Sequence, residues 1–260
     1  VQTVVDLFAA SPATVRFGDG TGPTAAELAD DGCRVAARLA RLGFERGDRV
    51  AIRLPNGPEY VRLLLGCAAG GFVAVPVNTR YRDAEAGELV RRAGARAVTL
   101  DDGWQDLDPI DPEGGRDDPF VVFTTSGTTS RPKMVLHHQR SIVDHALDVA
   151  SAFGYRPDDT VLVVMPLCGT FGLASLTGAI AAGSTVIVED YDTDATAALI
   201  AGSGVTCVNG SDDMFHRLLE HGADLTSIRL AGYARFNTSL DGIVDRAEAA
   251  GATLTGLYGM

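Results

Sequence analysis

Apolar residues arrive along this chain in two rhythms. Short runs predict strands at Thr14 to Phe17, Val50 to Leu54, Val73 to Val77, Ala97 to Leu100 and Pro119 to Thr124. Further runs at Val161 to Val164, Thr185 to Val188, Val205 to Val208 and Ile228 to Leu230 continue the series. Between them the spacing turns helical. Thr24 and Glu27 form a capping-box pattern ahead of Leu28, Val35, Leu39 and Leu42, with Gly43 as the stop. Helices follow over Glu59 to Ala69 and near Glu85 to Ala93, and Ile142, Ala146, Val149 and Phe153 mark another. The alternation predicts an α/β fold: layered, largely parallel sheets with helices on both faces.

From Asp101 to Asp118 there are eight acidic residues against the single Arg116, with prolines and glycines among them. The segment reads as an exposed connection. We therefore expect two α/β lobes, roughly 1–116 and 117–260. No fixed-period repeat or low-complexity tract interrupts them.

With 22 Lys and Arg against 34 Asp and Glu, the net charge of −12 excludes a general nucleic-acid surface, since no excess of cations exists to neutralise a phosphate backbone. Cys33, Cys67, Cys168 and Cys207 form no C-x-x-C pair, so neither a zinc site nor a disulfide framework is expected. His137 and His138 are adjacent and lack a carboxylate at ligand spacing, and His216 with Glu220 reads as a surface contact. Hence no metal ligands are assigned. No run approaches the roughly 18 apolar residues of a membrane helix, and the start V-Q-T-V-V-D-L-F has no basic segment. A cytoplasmic protein without a membrane span is the expectation.

The chemistry concentrates in Thr124-Thr125-Ser126-Gly127-Thr128-Thr129-Ser130-Arg131-Pro132-Lys133, directly behind an apolar strand and, by the pattern, ahead of a helix. Backbone N–H groups and hydroxyls can converge on phosphate oxygens where glycine allows positive φ, and the lysine adds a point charge. It is not a Walker loop. No second glycine precedes Lys133, and Met134 stands where that motif needs Ser or Thr.

This run resembles the T-S-G-T-T-G-x-P-K-G signature of the adenylate-forming (AMP-binding) superfamily, which includes acyl- and aryl-coenzyme A synthetases, luciferases and peptide-synthetase adenylation domains. Ser130 and Met134 replace two of its glycines, each adding a Cβ. Other family-like segments keep their order: G-D-R-V-A-I at Gly47 to Ile52, L-P-N-G-P-E at Leu54 to Glu59 and V-P-V-N at Val75 to Asn78. The resemblance implies the large N-terminal domain of such an enzyme, with ATP, Mg2+ and coenzyme A as cofactors and a small-molecule carboxylic acid, aryl or medium acyl, as partner. The acid becomes an acyl-adenylate and then a thioester. A carrier-protein thiol or an amine is the alternative acceptor, and a non-catalytic nucleotide-binding or scaffolding relative is the other alternative.

Residue by residue, the resemblance implies that Thr125, Ser126, Gly127, Thr128, Thr129 and Lys133 hold phosphates, with Lys133 and Thr128 catalytic. It sets Gly232, Tyr233 and Ala234, in a turn after a strand, against adenine, together with Tyr258 and Gly259 of a Y-G-x-T-E-like stretch. It builds the acid pocket from Cys168, Gly169, Phe171 and Gly172, with Asn209, Gly210 and Ser211 as the facing wall after a strand. Gly169 stands at the family's usual histidine position, and Ser211 is alternatively a helix cap. Because the Y-G-x-T-E-like stretch is incomplete at Met260, the resemblance implies that the magnesium glutamate and a mobile C-terminal domain follow in a longer parent. The 260 residues alone are then expected to bind nucleotide weakly.

Overall fold

The computed structural model describes residues 2–18, 20–124 and 133–257. Two sheets, each covered on both faces by helices, make five layers. The first strand, β1 (Val15–Phe17), follows helix α1 (Val4–Ala9) and precedes α2 (Ala25–Arg41). Then come β2 (Arg49–Ile52), α3 (Pro58–Gly70), β3 (Val73–Pro76), α4 (Asp83–Ala93) and β4 (Ala95–Ala97). Strands β5 (Pro119–Thr124) and β6 (Met134–His138) lead into α5 (Gln139–Phe153). The remainder alternates as β7 (Thr160–Val163), α6 (Thr170–Ala182), β8 (Thr185–Val188), α7 (Thr193–Gly202) and β9 (Cys207–Ser211). It closes with α8 (Asp212–His221), β10 (Leu230–Ala234), α9 (Ile243–Ala249) and β11 (Leu254–Gly256).

Among the described residues, one sheet has the order β1-β8-β7-β9-β10-β11 and is parallel throughout. The other has the order β4-β2-β3-β5-β6, parallel except for the antiparallel β5–β6 pair. The alternation of side chains along each strand explains the layers. Val161 and Val163 of β7, with Val186 and Val188 of β8, join a central core that also takes Val50, Ile52 and Phe123 from the other sheet. That core contains α1, α2, α3, α5 and α6. Leu162, Ile187 and Val208 point the other way, onto α7, α8 and α9. Ala51 packs toward Leu89 of α4, and Val75 toward Ala93. Strands buried on both faces read as unbroken apolar runs, which is why the sequence marks them so clearly.

The Thr24 capping box is present: its hydroxyl accepts the Glu27 N–H, and the Glu27 carboxylate accepts the Thr24 N–H at 2.8 Å. Leu28, Val35 and Leu39 are buried beneath it, while Leu42 is exposed as the C-cap.

Two expectations are corrected. The hydroxyl-rich run does not lead straight into a helix; β6 intervenes, pairing Met134 with Thr124, and α5 starts only at Gln139. Met134 is strand backbone packed against the sheet face that α4 covers, and no described non-glycine residue has positive φ, so its side chain meets no strain there. Strands β9 and β10 begin later and run further than their apolar runs suggest. Asn209, Gly210 and Ser211 therefore lie on β9, and Gly232, Tyr233 and Ala234 on β10, rather than in turns. The acidic connection is exposed over most of its length, as expected, and is anchored at a few points. Trp104 and Leu107 are buried, the Arg62 guanidinium sits 5.1 Å from the Trp104 ring, and Arg38 and Arg46 pair with Asp101 and Asp118.

Strand β1 joins the sheet made by the second half, while β5 and β6 extend the sheet made by the first.

Candidate functional site

In parallel strands all C-terminal ends share one edge, and ligands of open α/β sheets gather there. Here the edges of both sheets face a common cleft of about 350 Å³. The five-stranded sheet contributes Leu54 to Asn56 after β2 and Asn78 to Arg80 after β3. The six-stranded sheet contributes Met165, Pro166 and Cys168 after β7, Asp190 and Tyr191 after β8, and Ser211 at the end of β9. Asp213, Met214 and Phe236 complete the wall. A larger depression of about 750 Å³ lies on the outside of α2 between Gly22 and Arg34. It holds no strand end, and its Arg34 and Asp30 neutralise each other at 2.9 Å.

Asn56 holds the two edges together. Its amide donates to the Met165 and Glu189 carbonyls at 3.0 and 3.1 Å, and its side-chain oxygen accepts the Leu167 N–H at 2.8 Å. Its own N–H donates to Asp190 Oδ1 at 2.9 Å. Every one of these bonds runs from the end of β2 to the ends of β7 or β8. Asn56 lies in the family-like L-P-N-G-P-E segment, yet the sequence reading assigned it no role. A lone asparagine between prolines reads as turn chemistry, and partners more than 100 positions away leave no local mark.

Thr125 to Pro132 lie outside the described residues, as do Tyr258 and Gly259, and with them the expected phosphate groups of Thr125, Ser126, Gly127, Thr128 and Thr129. The flanks of the run are described. Strand β5 runs parallel to β3 with Ala74 opposite Val121, so continuing that register sets Thr124 level with Val77, one residue before the cleft-lining Asn78. Thr124 pairs with Met134, and the exposed Lys133 immediately precedes it.

Of the expected pocket residues, Cys168 and Ser211 line the cleft. Ser211 also caps α8, its hydroxyl accepting the Met214 N–H at 3.1 Å. Gly169 is the N-cap of α6, without a side-chain cap, and Phe171 is half-buried in the first turn. Gly172 is a packing residue: a Cβ there would stand 2.3 Å from the Pro166 carbonyl oxygen, so glycine lets α6 close on the loop after β7. Asn209 and Gly210 do not form an open wall. The Asn209 amide donates to Tyr155 Oη at 2.7 Å and Ser175 Oγ at 3.0 Å, and its oxygen accepts the Gly232 N–H at 3.2 Å. Its polarity is consumed inside the fold. Gly232 is thereby buried beside Asn209, whereas Tyr233 and Ala234 are half-buried toward the end of β10.

Burial raises the pKa of the Cys168 thiol, with Asp190 adding to the rise and Arg80 opposing it. A pKa raised above the ordinary thiol value keeps Cys168 protonated at neutral pH. Burial, with His145 and His138 nearby, lowers the pKa of His137 on β6. His216 and Glu220 share Arg246, the surface role expected of them. No three His, Cys, Asp or Glu side chains among the described residues could together hold a metal ion. The four cysteines are free, and no described helix is long and apolar enough to cross a membrane.

Known proteins share this architecture. The feruloyl-CoA synthase of Amycolatopsis sp is 29% identical over 243 residues, covering 83% of this chain and 49% of that protein. The long-chain-fatty-acid–CoA ligase FadD13 of Mycobacterium tuberculosis is 30% identical over 212 residues, covering 68% of this chain and 42% of its own length. The chain thus spans about half the length of the curated relatives it matches. Among solved structures, the NpsA N-terminal subdomain of Klebsiella oxytoca, in complex with anthranilyl-AMSN, has a TM-score of 0.83 at 25% identity and covers 98% of this chain and 73% of that one. The inhibitor-bound N-terminal domain of FACL13 from Mycobacterium tuberculosis has a TM-score of 0.87 at 20% identity, covering 100% and 76%, a likeness of fold. The family described as AMP-binding enzyme matches residues 2–109 and 100–260. With both sheets and nearly every residue inside that match, the chain belongs to the AMP-binding enzymes.

Proposed function

We propose that this chain is the acid- and nucleotide-binding part of an enzyme that activates a carboxylic acid with ATP and passes the acyl group to coenzyme A. In the first step a carboxylate oxygen bonds to the α-phosphorus as the bond to pyrophosphate breaks, leaving an acyl-adenylate. In the second, a thiol adds to the acyl carbon, loses its proton and displaces AMP. The observation that carries the reading is the convergence of strand ends from both sheets on one cleft, with Thr124 and Lys133 at the same edge.

The roles follow from charge and position. Thr125, Ser126, Thr128 and Thr129 donate hydrogen bonds to phosphate oxygens, and Lys133 offsets the charge that builds on the departing pyrophosphate. Gly232, Tyr233 and Ala234 hold adenine with Tyr258 and Gly259, and the acid lies toward Cys168 and Ser211. Mg2+ would supply further charge neutralisation on the phosphates. The described residues offer no ligand set for it, so no step is assigned through it.

The relatives named as CoA ligases favour coenzyme A as acceptor. ATP–pyrophosphate exchange over a panel of carboxylic acids, measured on the longest natural form of the chain, tests the activation step. Exchange is expected with at least one acid, and Lys133→Ala is expected to lower it about 100-fold. The melting temperature should hold, because Lys133 is exposed. No exchange with any acid, or full exchange by the variant, sinks the proposal. Supplying coenzyme A or a carrier protein to the preformed adenylate then identifies the acceptor.

A further inference from the structure

Phe236 is 72% exposed, the most open large apolar side chain among the described residues, and it lines the cleft. Such exposure in a slack loop would mean little. This loop is braced. The Asn237 N–H donates at 2.8 Å to Oδ2 of Asp212, a carboxylate with no exposed surface whose Oδ1 accepts the Asp213 N–H at 2.9 Å. Arg235 pairs with Asp241 at 2.8 Å and donates to the Thr238 carbonyl, and Ser239 donates twice to Asn237 Oδ1. An aromatic ring is thus held at the cleft mouth by its neighbours' hydrogen bonds, without a packing partner that accounts for its area. Tyr191, also in the cleft wall, is fixed in turn, its hydroxyl donating to the Met214 carbonyl at 3.2 Å. A cleft of about 350 Å³ is at the small end of ligand sites and suits one ring better than a long chain.

Resting on the reading of this cleft as the acid site, we propose that Phe236 is the residue that contacts the acid's ring, that Asp212 positions it, and that planar aromatic acids are the preferred substrates. A ring stacked on Phe236 gains an attraction that a saturated ring of equal size does not.

The test compares benzoate with cyclohexanecarboxylate in ATP–pyrophosphate exchange on the longest natural form of the chain. The wild type is expected to favour benzoate by about threefold to tenfold in kcat/KM, the range of an aromatic pair. Phe236→Leu, which keeps an apolar side chain but removes the ring face, should bring the two acids within about twofold of each other through KM for benzoate. Asp212→Ala should narrow the preference in the same direction, and Asp212→Asn, which retains an acceptor for the Asn237 N–H, should restore it. If Asp212→Ala does not fold, Phe236→Leu decides alone. Equal use of both acids by the wild type overturns this inference and leaves the activation reading standing, as does an undiminished preference in Phe236→Leu. A rise in KM for ATP instead of benzoate would reassign the ring to adenine and also overturn it. Exchange with no acid at all rejects both.

Discussion

The two edges of the six-stranded sheet are built on opposite plans. At the edge where the strands begin, Asp159 before β7, Thr206 before β9 and Arg229 before β10 close into one network. The Asp159 carboxylate, with a side chain only 3% exposed, accepts from Arg229 Nε at 2.7 Å and Nη2, from Thr206 Oγ1 at 2.8 Å and from the Arg156 N–H at 2.7 Å. At the edge where the strands end, α6 starts at Gly169 without a side-chain cap, and the loops open onto a cleft spanned by Asn56 of the facing sheet. One edge satisfies its polar groups internally. The other leaves the start of α6 without a side-chain cap and the Phe236 ring exposed. The contrast teaches where this fold keeps its stability and where it keeps room for a ligand.

If the closed edge is the stabilising one, breaking it should have the largest effect. Arg229→Met leaves Asp159 buried and unpaired, and is expected to cost about 3–5 kcal/mol in urea denaturation. The pH dependence sharpens the point. Burial alone would raise the pKa of Asp159, but the Arg229, Thr206 and Arg156 bonds outweigh it and hold the value at about 2, below the ordinary 3.8. A depressed carboxylate contributes stability that is fully present above its unfolded pKa and is lost as pH falls from about 4 towards 2. The wild type should lose stability across that window, and Arg229→Met should lose less there, starting from a lower level.

At the open edge the principal tie is Asn56. Asn56→Ala removes three side-chain hydrogen bonds between the sheets and is expected to cost about 2–3 kcal/mol. Faster amide exchange at Leu167 should accompany it, because its acceptor, the Asn56 side-chain oxygen, is lost. A loss as large as that of Arg229→Met would erase the contrast between the edges. The smallest effect is expected away from both. Thr24→Ala removes one helix cap and should cost about 1 kcal/mol by thermal unfolding, leaving the cleft unchanged.

Local chemistry made much of this legible in advance. The Thr24–Glu27 box, the apolar strands around Val50 and Val186, and the helix over Pro58 to Gly70 declare themselves within a few residues of sequence. What stayed hidden depends on distant partners. Asn209 looked like an open wall because its partners Tyr155, Ser175 and Gly232 are scattered through the chain. Strand β6 was missed because M-V-L-H-H passes into a helix at Gln139 with no glycine or proline between. Nor could the pattern show that the ends of β2 and β7 face each other. The Asn56 bonds and the shared cleft establish that.

Strand β1 carries one last consequence. Val15 pairs with Val186, so a segment near the start of the chain has its sheet partner about 170 residues later. At roughly 5–20 residues per second of synthesis, β1 leaves the ribosome roughly 10 to 30 seconds before β8 exists. During that interval its apolar side chains have no sheet to join, and a chaperone that binds nascent chains would find its longest-lived target there.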